Sequence, residues 1–133
     1  MKIIPNLSFN GNCLEALEYY KKIFDGEILQ IVTYDEVNYK CSEDEKKKIF
    51  SAIMLLGKNT VYFNDKLNEK IGNNITMIIE FFNEEDLNNI SGKLSKEGTI
   101  SVEMGETTWG SQYVEIVDKF GIVWGLNYEM QLI

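Results

Sequence analysis

The stretch Phe9-Asn10-Gly11-Asn12-Cys13-Leu14-Glu15-Ala16-Leu17-Glu18-Tyr19-Tyr20 holds a strand end, a turn and a helix start in one short span. Asn12 is a good N-cap, and Glu15, three residues on, completes a capping-box-like pair. Cys13, Ala16, Leu17, Tyr20 and Phe24 then recur at helical spacing and make one apolar face. Gly26 follows as a C-terminal stop. Strand-like runs flank this helix: Ile3 to Phe9 before it, then Glu27–Tyr34, Ile49–Leu56 and Thr60–Phe63 after it. A Gly57-Lys58-Asn59 turn joins the last two.

The same order then recurs. A strand-like run from Ile75 to Phe82 leads to Asn83, with Asp86 three residues on, and to a helix presenting Leu87, Ile90 and Leu94 before Gly98. Thr99–Met104, Gln112–Val117 and Ile122–Tyr128 follow, the last two joined by Asp118-Lys119-Phe120-Gly121. The order is βαβββ, a polar linker from Asn64 to Asn74, and βαβββ again, a duplication of about 60 residues per unit. The predicted class is α+β, in one domain of two modules spanning about 1–65 and 74–133. The segment Asp35 to Lys48 fits neither copy. Its Ser42-Glu43-Asp44-Glu45 run predicts a short capped helix with Glu43/Lys47 and Asp44/Lys48 pairs, in a solvated connector or a loop over a pocket.

Composition then removes reaction types. The chain has 133 residues, with 13 Lys+Arg against 21 Asp+Glu and a net charge of −8; it contains no histidine, and every basic residue is lysine. A Ser-His-Asp triad, a Cys-His dyad, a His-bearing zinc site and an arginine finger are therefore excluded. The acidic balance argues against nucleic-acid binding and permits a cationic ligand. Cys13 and Cys41 form no CxxC and read as a reduced pair. The longest apolar runs, such as Ala52 to Leu56, are too short to span a bilayer, and the N-terminus lacks a signal-peptide core. The expectation is a cytoplasmic protein without membrane or nucleic-acid partners.

A repeated βαβββ unit resembles the vicinal oxygen chelate superfamily, which includes glyoxalase I, fosfomycin- and bleomycin-resistance proteins and extradiol dioxygenases. The Phe9–Tyr20 stretch resembles the opening of its PhnB-like branch, which carries a demethylubiquinone methyltransferase-type name. Thr108-Trp109-Gly110-Ser111-Gln112-Tyr113 and Asp118-Lys119-Phe120-Gly121-Ile122-Val123-Trp124 resemble the same branch near its end. The resemblance implies a half-barrel of curved mixed sheets, a small-molecule site and a homodimer. It also implies metal-ligand positions on the first and last strands of each unit. Here those fall at Pro5, at Tyr62 or Phe63, near Thr76, and at Gly125, while a histidine carried by many PhnB-like relatives corresponds to Ser51. None is a carboxylate or imidazole, so no metal or other cofactor is expected. No glycine-rich turn follows a strand to hold an adenosyl cofactor, so methyl transfer draws no support from the sequence.

The expected ligand-binding residues are Ser51, Trp109, Tyr113, Glu115 and Trp124, around a metal-free pocket between the two halves that holds a small organic molecule. Of the two tryptophans, Trp124 reads rather as core packing, whereas Trp109, beside Gly110 in a polar loop, reads rather as lining a cleft or an interface. The alternative is a glyoxalase- or lyase-type enzyme using the carboxylates Glu80, Glu103 and Glu115, of which Glu80 and Glu115 lie on largely apolar strands. Cys13, at a helix N-terminus, is a possible nucleophile but lies on the apolar face, which favours packing. Whether any reaction is catalysed stays open at this level.

Overall fold

A computed structural model describes residues 1–38, 40–67, 70, 72–108 and 110–130. The elements are β1 (Asn6–Phe9), α1 (Cys13–Phe24), β2 (Glu27–Thr33), β3 (Ile49–Leu56) and β4 (Asn59–Asp65), then β5 (Thr76–Phe81), α2 (Glu84–Ser95), β6 (Thr99–Glu106), β7 (Ser111–Val117) and β8 (Val123–Glu129). The βαβββ order therefore occurs twice, and the chain divides into compact units at Met1–Lys70 and Ile71–Ile133. Each unit has one open four-stranded sheet, ordered β1-β4-β3-β2 in the first and β5-β8-β7-β6 in the second. The first strand of each copy pairs in parallel with the last, and the remaining pairs are antiparallel, so both sheets are mixed. This is the expected α+β half-barrel architecture. The linker starts later than expected, because Asn64 and Asp65 still pair with Ser8 and Phe9.

In the first unit α1 buries Cys13, Ala16, Leu17, Tyr20 and Ile23. They meet the sheet face carrying Phe9, Ala52, Met54, Val61 and Phe63, all under 5% exposed. Phe9, Tyr20 and Phe63 form an aromatic cluster with ring centroids 5.9–6.5 Å apart. In the second unit Leu87 and Leu94 of α2 are fully buried, as are Ile116 and Leu126, with Val114 and Trp124 nearly so. Strand alternation puts Val114, Ile116, Trp124 and Leu126 on one face and Tyr113, Glu115, Gly125 and Asn127 on the other.

The helix ends differ from the expected motifs. Asn12 makes no side-chain cap bond. Instead Asp65, at the end of β4, accepts from the backbone N–H of Gly11 and Cys13 through Oδ1, at 2.9 and 3.0 Å, and from that of Ile49 through Oδ2 at 2.9 Å. At the other end the left-handed residue is Asp25 (φ 52°), and Gly26 is needed for closeness: a Cβ there would lie 2.9 Å from the Met54 sulfur. The second helix follows its local signal, with Asn83 Oδ1 accepting from the Asp86 N–H at 2.8 Å.

Between Asp35 and Lys48 the described residues form turns and no helix. Ser42 and Glu45 do bond as a capping box would, Oγ to Oε1 at 2.8 Å, but the ion pair is Glu43 with Lys46. Lys48 instead donates to the Gly11 carbonyl at 2.8 Å. One turn of helix cannot repay its nucleation cost, and the tertiary contact of Lys48 wins.

Candidate functional site

The face of the second sheet turned away from α2 carries most of the candidate polar chemistry. Tyr113 and Glu115 are alternate residues of β7, so both side chains point to this side. The Tyr113 hydroxyl donates to Glu115 Oε2 at 3.0 Å, and Ser101 Oγ, on the neighbouring β6, lies 3.1 Å from Glu115 Oε1. β6 is irregular between Ile100 and Val102, where the register shifts. On the other side of β8, Asn127 Nδ2 donates to both oxygens of Glu80, at 3.1 and 3.0 Å. Glu80 sits opposite Asn127 in the β5–β8 ladder, and Tyr113 opposite Asn127 in the β7–β8 ladder, so the groups lie across three adjacent strands.

Gly125 makes room for this arrangement. Cross-strand from Glu115 and Ile78, it lacks the side chain that would fill the centre of the face. A Cβ at Gly125 would fall 2.5 Å from the Tyr113 hydroxyl oxygen and 3.1 Å from two ring carbons. The tyrosine therefore occupies the volume that glycine leaves. Burial first, then the hydrogen bond and charge of Glu115, raise the Tyr113 pKa, so its hydroxyl stays protonated and remains a donor to Glu115. Two buried polar atoms on the same face have no hydrogen-bond partner among the described residues: Asn127 Oδ1 and Ser111 Oγ.

Of the residues expected to bind ligand, Tyr113 and Glu115 are brought together. Trp124 is 2% exposed on the opposite, helix-facing side, with its indole N–H donating to Asp118 Oδ2 at 2.8 Å. Asp118 Oδ1 meanwhile accepts from the N–H groups of Phe120 and Ile122, which fixes the turn as the sequence suggested. Ser51 is half-buried on β3 of the first unit, paired with Val32. Trp109 lies outside the described residues. Glu80 and Glu115 share one face, whereas Glu103 is exposed on β6. Cys13 is fully buried, and burial together with the nearby Asp65 carboxylate pushes its thiol pKa far up, which removes it as a nucleophile. Ser101, Ser111 and Asn127 were not singled out in the sequence; the glycine inside β8 was the available signal of a close approach on this face.

The first unit carries a different chemistry at the corresponding place. Ser8 Oγ donates to Asn64 Oδ1 at 2.7 Å, and Asn6 Nδ2 reaches the same oxygen at 3.2 Å. This neutral amide and hydroxyl cluster stands beside Tyr62, which is half exposed.

The positions where the superfamily resemblance implies metal ligands do not fit a metal. Pro5 offers only a carbonyl, which accepts from the Tyr62 N–H, and the Gly125 position is filled by the Tyr113 hydroxyl. Thr76 and Ser51 offer hydroxyls. Among the described residues no group of three or more His, Cys, Asp or Glu is placed to hold a metal ion. No helix among them is long and apolar enough to cross a membrane.

Comparison with known proteins agrees with this architecture. The chain is 24% identical to protein YjdN of Escherichia coli strain K12, over 98% of this chain and 97% of that one. Its fold matches protein PA1353 from Pseudomonas aeruginosa with a TM-score of 0.86, at 22% identity over 98% and 99% of the two chains. It also matches a structure from Bacillus cereus described as a putative 3-demethylubiquinone-9 3-methyltransferase, PhnB protein, with a TM-score of 0.81 at 24% identity over 96% and 99%. The same fold extends to proteins of the glyoxalase/bleomycin-resistance/dioxygenase superfamily. The family model described as 3-demethylubiquinone-9 3-methyltransferase covers residues 1–127, and the chain belongs to that family.

Proposed function

We propose that this chain binds a small organic molecule, without a metal, on the face of its second sheet where Tyr113 and Glu115 stand over Gly125. The observation that carries the reading is the hydrogen-bonded pair of clusters, Ser101–Glu115–Tyr113 and Glu80–Asn127, aligned across a strand that bears no side chain at its centre. Such a face combines preorganised polar groups with the apolar surface of Ile78, which is 61% exposed. The free thiols of Cys13 and Cys41 fit a reducing, cytoplasmic setting. Self-association into a homodimer belongs to the same proposal, supported by the exposed Ile100, Val102 and Met104 on the outermost strand β6. Sedimentation at high protein concentration tests it, and a monomer there would remove the dimer.

Thermal shift across a small-molecule library is the test of binding. A ligand at a hundred times its dissociation constant stabilises the fold by about 2.7 kcal/mol. Gly125→Ala, which evicts the Tyr113 hydroxyl, is expected to abolish that shift. A library without a single hit would sink the proposal, and metal retained stoichiometrically through purification would end its metal-free form.

A further inference from the structure

We infer that Asn10-Gly11 is a site of covalent self-modification, in which Asn10 loses its side-chain amide to attack by the Gly11 nitrogen, and that Asp65 gates the reaction by holding that nitrogen's N–H. The inference stands apart from the ligand-binding reading and uses none of its residues.

The chemistry starts from the sequence. Asn10 is the only asparagine of the chain followed by glycine, and it is exposed. A following glycine has no Cβ to hinder approach of its nitrogen to the asparagine side chain. In the reaction the Gly11 N–H gives up its proton, and the nitrogen's electron pair forms a bond to Asn10 Cγ. The Cγ–Nδ2 bond breaks and ammonia leaves, so a five-membered succinimide remains. Water then adds to one of the two ring carbonyls, that carbonyl's bond to nitrogen breaks, and the nitrogen regains a proton. Residue 10 becomes aspartate or isoaspartate. Water is the co-reactant, and nothing is oxidised or reduced.

The fold both requires this pair and restrains it. Gly11 has φ +95°, so the turn from β1 into α1 needs glycine there. Its N–H donates to Asp65 Oδ1 at 2.9 Å, and Asp65 is 1% exposed, tied also to the N–H groups of Cys13 and Ile49. To attack, the nitrogen must shed the proton that Asp65 holds, and the carboxylate's charge disfavours the anionic nitrogen beside it. The Gly11 carbonyl accepts from Lys48 Nζ at 2.8 Å, so the residue is tied at both its polar groups. Cyclisation therefore waits for this corner to open, and its rate follows the open fraction. The product does not close again as before. It adds a negative charge one residue from the nitrogen that Asp65 holds, and isoaspartate lengthens the main chain by one carbon. Modification is thus a one-way release of the α1 entry.

A control lies at the other end of the same helix. Asp25-Gly26 forms the same ring by loss of water, but the Gly26 N–H is held by the Lys21 carbonyl at 3.0 Å, without Asp65. The test follows both pairs in the full chain by peptide mapping with mass spectrometry and isoaspartate separation, in buffer and in guanidinium. In the folded wild type, Asn10 conversion is expected to be slower than in guanidinium by the factor that slows hydrogen exchange of the Gly11 amide. Asp65→Asn is nearly isosteric but removes the charge and one acceptor oxygen. It should speed folded-state conversion of Asn10 about tenfold or more, as loss of a charge-assisted hydrogen bond implies, and leave Asp25 isomerisation unchanged. Equal acceleration at both pairs would mean general loosening and would overturn the gate. Asn10 conversion as fast in buffer as in guanidinium would overturn it without any variant, so the proposal stays testable if Asp65→Asn fails to fold. No conversion of Asn10 even in guanidinium would overturn the modification site itself.

Discussion

The two βαβββ copies share element order and sheet topology, yet each places its buried carboxylate differently. In the first unit Asp65 reaches from the last strand to the helix entry and to the start of β3, tying three segments through the backbone N–H groups of Gly11, Cys13 and Ile49. In the second unit the helix entry is closed locally by Asn83, and the buried carboxylate is Asp118, which holds the hairpin and the Trp124 indole. The fold therefore requires that the helix entry be satisfied, without prescribing from where. A second contrast follows on the faces turned away from the helices, where the polar cluster across the first and last strands is neutral in the first unit (Asn6, Ser8, Asn64) and its counterpart carries carboxylates in the second (Glu80, Glu115). Duplication supplied two equivalent frames, and among the described residues the paired carboxylates stand at this place in the second.

The largest effect is expected where one side chain ties three segments. Asp65→Ala would strand buried backbone donors at both the helix entry and β3, costing about 4 kcal/mol. Urea denaturation of the full chain measures it, with hydrogen exchange at Cys13 and Ile49 reporting where protection is lost. A cost no greater than that of removing the Asn83 cap would break the contrast between a long-range and a local closure.

Gly125→Ala addresses the second contrast. Its Cβ would sit 2.5 Å from the Tyr113 hydroxyl oxygen, so the ring must move, at about 2 kcal/mol. Tyr113→Phe deletes the clashing atom and leaves ring contacts of 3.1 Å, so the double variant should be less destabilised than the sum of the singles. Strict additivity would show that the tyrosine does not occupy the glycine's space.

Cys13 gives the first unit an alkaline weakness that the second lacks at its own helix start. Its folded pKa is raised by burial and then by Asp65, while the unfolded thiol titrates near pH 8.5. Above that value the unfolded chain loses this proton and the folded chain keeps it, so stability falls as pH rises. By about one unit above the unfolded pKa the loss is about 1.4 kcal/mol. Comparing the pH profile of the wild type with Cys13→Ala isolates it, and parallel profiles would refute it. A thiol reagent should accordingly modify Cys41 before Cys13 in the folded protein.

What the sequence made legible follows the range of each interaction. The apolar face of α1, the Asn83 cap and the Asp118 turn are local patterns, and all three are present. Asp65 was invisible as a helix partner because it stands 52 positions from Cys13, and strand register alone brings them together. The same holds for the candidate site. The Tyr113–Glu115 alternation is readable along β7, but the roles of Ser101 and Asn127 depend on which strands flank it. Trp124 leaned toward core while remaining a candidate for the site, and Asp118, six residues earlier, decides for the core by taking its indole N–H.

The smallest effect is at the local cap. Asn83→Ala removes one bond to the Asp86 N–H, and the exposed helix start lets water replace it, so the cost should be about 1 kcal/mol. Asn12→Ala is the matched control in the first unit, because Asn12 makes no side-chain cap bond there. It should cost only a few tenths of that. Equal losses at Asn83 and Asn12 would mean that both helices start on their own cap, and that Asp65 supplements a motif instead of replacing it. Unequal losses, with Asp65→Ala far above both, are what two different closures of one fold require.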